Sequence, residues 1–101
     1  MVIVHGEIRI NPGALEPVVD AITRMETESL KEPGCITYAF SVSVSDPGLV
    51  RITERWETMD DLAAHFGLPH MADFQAALSQ VEIQGMDVKA FDVNGEVPLP
   101  M

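Results

Sequence analysis

The sequence predicts an α+β fold of ferredoxin-like type, β-α-β-β-α-β, with a four-stranded antiparallel sheet and both helical segments on one face. Apolar residues alternate over residues 2–10, 36–44 and 50–56, interrupted only by Gly6 and Glu54, the period of a strand with one buried face. Over residues 14–30 and again over 59–78 the apolar spacing lengthens to three and four, as in a helix with one buried stripe. "SDPG" (45–48) separates the second and third runs and has the chemistry of a tight turn, which makes those strands antiparallel neighbours.

In the first strand Val2, Val4, Ile8 and Ile10 share a face, and His5, Glu7 and Arg9 alternate against them. "NPG" (11–13) breaks the run. The helix that follows carries Leu15, Val18, Val19, Ile22, Met25 and Leu30 on its apolar side, opposite Glu16, Asp20, Arg24 and Glu28. Pro17 has no amide hydrogen and belongs in its first turn, and "KEPG" (31–34) ends it. "ITYAFSVSV" (36–44) is the cleanest alternation, with Ile36, Tyr38, Phe40, Val42 and Val44 inward and Thr37, Ala39, Ser41 and Ser43 outward. Val50, Ile52, Glu54 and Trp56 continue as the third strand.

Thr58 or Asp60 caps the next helix, whose stripe is Met59, Leu62, Ala63 and Phe66. Gly67 can end that helix, and Pro69 suits the first turn of another bearing Met71, Phe74, Ala77 and Leu78. Residues 81–93 read as extended, with Gly85 suggesting a bulge. "NGEVPLPM" (94–101) reads as an irregular tail. The sheet face away from the helices carries Thr37, Ser41, Ser43, Arg51, Thr53 and Arg55, polar enough to be wet or to receive a second sheet.

At 101 residues the chain is expected to form a single domain, residues 1–101 including the tail. Six basic against sixteen acidic side chains give a net charge of −10, a field that repels phosphate backbones and anionic lipid and argues against nucleic-acid or membrane partners. No apolar run approaches the roughly 20 residues of a membrane span, and "MVIVHGEIRI" lacks the basic leader of a signal peptide. The single cysteine, Cys35, excludes an internal disulfide and suits a reducing cytoplasm.

Chemistry-bearing residues cluster in "HFGLPHMADF" (65–74). His65 borders the stripe of its helix and is either a boundary histidine bonded to backbone or a proton acceptor, the role to which imidazole is suited near neutral pH. His70, in a first helical turn after Pro69, reads as structural or as the rim of a pocket. Glu54 shares the inward parity of its strand. It is a base with a raised pKa if buried, or an ordinary carboxylate if a bulge exposes it. A metal site is not assigned: the two histidines are five apart across a proline, with only Asp61 and Asp73 as acids nearby in sequence. Cys35 has no basic neighbour to activate it.

"EPGCITY" (32–38) and "RITERWETMDDLAAHFGLPHMADFQ" (51–75) resemble the antibiotic biosynthesis monooxygenase superfamily, and its small quinol monooxygenases in particular. The matching positions are Glu32, Gly34, Cys35 and Tyr38, then Glu54, Trp56 and Glu57, then Leu62, His65, Pro69 and His70. The resemblance extends over residues 2 to about 93 once "GEIRINPG" (6–13) and the element order are included. It implies a homodimer whose two sheets form an α+β barrel, with a pocket between sheet and helices in each subunit. It also implies oxygenation of a small aromatic quinol or phenol by O₂ without metal, flavin or haem.

On that reading His65 is the catalytic proton acceptor, and Trp56, Tyr38, Phe40, Glu54, Phe66, His70 and Phe74 bind substrate. Ile52 and Leu62 stand where the family's polyketide oxygenases carry Asn and Tyr, and His65 lies near where its haem-degrading members carry Trp. Two other functions remain open at this point: an isomerase or lyase of a small carbonyl compound using His65 and Glu54, and a ligand-binding dimeric module without catalysis.

Overall fold

A computed structural model describes all 101 residues. The strands are β1 (Val2–Arg9), β2 (Cys35–Val42), β3 (Leu49–Trp56) and β4 (Gly85–Asp92), and the helices are α1 (Val19–Ser29), α2 (Met59–His65) and α3 (Pro69–Leu78). They form one antiparallel sheet in the order β2-β3-β1-β4, the ferredoxin-like α+β fold, with its second helical segment split in two. A 3-10 turn, Glu16–Val18, precedes α1 and takes up Pro17, so the α-helix proper begins later than the apolar period suggests.

Burial follows the pleat. In β3, Val50, Ile52, Glu54 and Trp56 are buried while Arg51, Thr53 and Arg55 are exposed. The core joins Ile52 and Trp56 to Tyr38 of β2, Val2 and Val4 of β1, Val18, Ile22 and Met25 beside and within α1, Leu62 of α2, and Met71 and Phe74 of α3. The helices pack over β2 and β3. β4 projects past them and is exposed along its whole length. The space between α3 and the β1–β4 half of the sheet is therefore not filled by a helix.

The strand ends depart from strict alternation in identifiable ways. A bulge lies between Cys35 and Thr37, at Ile36 rather than at Gly85, which pairs regularly with Arg9. Two residues of β2 there oppose one step of β3, so Cys35 turns toward the core and Ile36 is exposed. Val42 and Val44 are also exposed, at the end of β2 and in the bend that follows it. Val19, Leu30, Met59 and Phe66, placed by period on inward stripes, are exposed at the edges of their helices. Residues 81–84 precede β4 instead of belonging to it, and residues 94–101 have no regular structure.

Two contacts fix the loop that leads into the site. Glu26 of α1 accepts from the outward N–H of Phe40 on edge strand β2 at 2.9 Å. Gly34 takes φ +80°, and a Cβ there would run into the Asp61 carboxylate, while its carbonyl accepts from Glu57 N–H at 2.8 Å. Only glycine meets both demands at low cost.

Candidate active site

The loop that Gly34 fixes carries Glu32, and Glu32 organises the site. One carboxylate oxygen, Oε2, lies 2.6 Å from His65 Nδ1 and 2.7 Å from His70 Nε2. The three side chains come from the α1–β2 loop, the last turn of α2 and the first turn of α3. Thr58 starts α2 by accepting from Asp61 N–H at 3.1 Å. Gly67 N–H then donates to Ala64 at 3.1 Å, and Pro69 begins α3, so the chain reverses between the two imidazoles and both reach Glu32. Side-chain exposure is 1 % for His65, 6 % for Glu32 and 14 % for His70.

A carboxylate can only accept, so each histidine donates to Oε2. In neutral His65 the proton is on Nδ1 and Nε2 keeps its lone pair. That Nε2 is buried with no protein partner. The ring is clasped by Trp56, Tyr38 and Phe66, with centroids 5.0, 5.4 and 5.5 Å away, and it borders the main cavity.

The cavity, about 380 Å³, occupies the gap between α3 and the β1–β4 half of the sheet. Val4, Ile8, Ile52, Met86, Val88 and Ala90 form its sheet side, and Leu62, Met71, Phe74 and Leu78 its helix side. Gly6, between Val4 and Ile8, has no room for a Cβ, which would lie 2.9 Å from the Val88 backbone. The polar groups at the lining are few: Tyr38, Glu54, His65, Gln75 and Lys89.

These polar groups are tuned by burial. Glu54 is raised above the usual carboxylate range by desolvation, opposed by the Trp56 indole N–H, which donates to its Oε1 at 2.9 Å, and by His65. Tyr38 is held far above the usual phenol value by burial and then by the Glu54 and Glu32 charges, so it is a neutral hydroxyl throughout the physiological range. Burial, Glu32 and Glu54 together push the Cys35 thiol up to about 11.

The expected site residues separate into groups. His65, Tyr38, Phe40, Glu54, Phe66 and Phe74 border the cavity, Phe66 from an exposed position at its mouth. Trp56 does not: it is fully buried behind Glu54, and it acts on the cavity through its indole N–H. His70 is on the far side of Glu32, facing a second, smaller cavity. The carboxylate that joins the two histidines was absent from the expected site, although Glu32 stands in the "EPGC" motif.

His65, His70 and Glu32 also form a possible metal-ligand set. Their donor atoms, however, sit at 2.6 and 2.7 Å, well inside the about 3.3 Å that separates ligands around a tetrahedral zinc ion. As placed, these atoms share protons.

Residues 1–77 match the family model described as antibiotic biosynthesis monooxygenase. The chain belongs to that family. It is 32 % identical over 88 residues to the Escherichia coli K12 protein named "Probable quinol monooxygenase YgiN", covering 77 % of this chain and 85 % of that one. Its fold matches a solved structure from Deinococcus radiodurans with a TM-score of 0.86, at 23 % identity and 98 % coverage of both chains. It also matches Rv0793 from Mycobacterium tuberculosis with a TM-score of 0.81, at 23 % identity over 96 % of this chain and 98 % of that one. Membership supports a monooxygenase-type activity for this chain. No helix is long and apolar enough to cross a membrane.

Proposed function

We propose that the protein oxygenates a small aromatic quinol or phenol with O₂, using no cofactor, and that His65 is the base. The observation that carries this reading is His65 Nε2: a buried lone pair without a protein partner, on a ring that Glu32 fixes through Nδ1 and that borders an apolar cavity. A neutral phenol entering that cavity gives its proton to Nε2. The ring anion is then a strong reductant in a medium that solvates it poorly, and O₂, itself apolar, partitions into the same space. For a hydroquinone, one oxygen atom enters the ring to give a hydroxyquinone and the other leaves as water. The substrate supplies the electrons, and His65 returns its proton to the departing oxygen. Tyr38, a neutral donor, can hold a substrate oxygen.

The related E. coli protein's name, the apolar cavity and its few polar groups favour this over isomerisation of a polar carbonyl compound. Glu54 is the one feature that suits the second reading, in which it and His65 act as acid and base and no O₂ is consumed. We infer further that the protein works as a homodimer in a reducing cytoplasm. The outer sheet face is uncovered, with Ile3 and Phe91 paired across β1 and β4 and Phe91 half exposed, as a two-sheet barrel requires.

Oxygen uptake with a panel of hydroquinones and phenols tests the function. Uptake above the uncatalysed rate, lost in His65→Ala, is expected. No enzymatic rate across the panel, or an equal rate in His65→Ala, contradicts it.

A further inference from the structure

The two histidines held by Glu32 border different cavities, which share Phe74 as a wall. His65 borders the large apolar one, while His70 borders a second cavity of about 220 Å³ between α1 and α3, lined by Ala21, Arg24, Met25, His70, Asp73 and Phe74. The imidazole rings are 5.9 Å apart, and each donates to the same oxygen. Each ring has one nitrogen left. That of His65 is sealed from water, whereas His70 is the more exposed of the two.

We propose that His70 is the solvent-side partner of His65 in a charge hand-off across Glu32: when His65 takes a proton from a ligand in the main cavity, His70 releases one into the second cavity. This rests on reading His65 as the cavity's base. A buried carboxylate between two imidazoles is neutralised by one imidazolium, and two would leave an uncompensated positive charge in a largely desolvated site. At rest the extra proton sits on His70 Nδ1. Ligand ionisation forms an N–H bond at His65 Nε2 and breaks one at His70 Nδ1, and both hydrogen bonds to Oε2 persist throughout. One proton leaves the ligand, one reaches water, and the cluster's charge is unchanged.

The other charged and titratable groups are placed to permit this. Toward His65 are Glu54 from β3 and Tyr38 from β2, neither of them cationic; Lys89 of β4 also lines the main cavity, but its exposed amine is paired with Asp87. Toward His70 are Arg24 from α1 and Asp73 from α3, an exposed pair 3.9 Å apart whose charges cancel at the rim of the second cavity.

His70→Gln keeps an N–H for Glu32 and removes the titratable ring. The probe is 4-nitrophenol, studied below the pH at which it ionises in water. Its absorbance reports phenolate formation, and calorimetry in two buffers of different ionisation enthalpy counts the protons released. The wild-type protein is expected to form phenolate and release up to about one proton per phenolate; in His70→Gln the single imidazole left beside Glu32 already carries the neutralising charge, so phenolate formation is expected to fall at least about tenfold. Equal phenolate formation by both proteins, or phenolate without release in the wild type, overturns the hand-off.

Absence of phenolate in both proteins counts against His65 as the base. The coupling is then decided in the unliganded protein by imidazole ¹⁵N NMR. There, at the pH of the phenol experiment, the His65 ring in His70→Gln is expected to carry a proton on both nitrogens where the wild-type ring carries one. The same protonation pattern in both proteins overturns it.

Discussion

Glu32 holds the His65 ring through Nδ1. Without its carboxylate, the His65 ring keeps its aromatic neighbours but loses the bond that fixes which nitrogen is bare. Glu32→Ala, which removes the acceptor, is therefore expected to lower oxygen uptake with the preferred hydroquinone by about 10²-fold or more, with little change in KM. A KM change at constant kcat would assign Glu32 to binding instead. Glu54 makes a prediction of opposite character. Because burial raises its carboxyl above the ordinary value of 4.5, the folded chain binds a proton that the unfolded chain has lost. The stability from this group is complete below the unfolded value and falls as pH rises through the folded value. Glu54→Gln, which can still accept from Trp56, should gain in Tm over the wild type from acid to neutral pH, and a constant difference would contradict this. Cys35, pushed up to about 11 mainly by burial, should react with iodoacetamide at pH 8 far more slowly than a free thiol.

The strands and helices were largely legible in the sequence because each has one buried face and therefore one clear period. The exceptions have local physical causes. A bulge inverts Ile36 relative to Cys35, and no sequence period marks an inserted residue. Val42 and Val44 look like core because the alternation runs through and past the end of the strand. The two-helix reading of "HFGLPHMADF" holds, since Gly67 and Pro69 act through the backbone alone. Glu32 was hidden for a different reason: it is 33 residues from His65 and 38 from His70, and a glutamate at a helix end looks solvated. Its position depends on Gly34, whose positive φ and close approach to Asp61 make Gly34→Ala expensive. Urea unfolding should show a loss of about 1–3 kcal/mol, and a loss below half a unit of that range would mean that the loop tolerates a different path.

The fold places an apolar cavity where the helix layer stops short of β4, and leaves the opposite sheet face bare. Under the proposed function the cavity face takes the substrate and the bare face a second copy. Dimerisation through the bare face predicts that Phe91→Lys shifts the sedimentation coefficient from dimer to monomer while leaving the far-ultraviolet circular dichroism intact. A wild-type protein that sediments as a monomer would contradict the barrel. The features on which catalysis would depend all meet at the His65 ring: a fixed tautomer, a bare nitrogen and a dry wall. Long-range ¹H–¹⁵N correlation of the His65 imidazole in its neutral form reads that arrangement directly. A protonated Nδ1 with a bare Nε2 is expected; a protonated Nε2 would contradict it, leaving the cavity with a donor where a base is required.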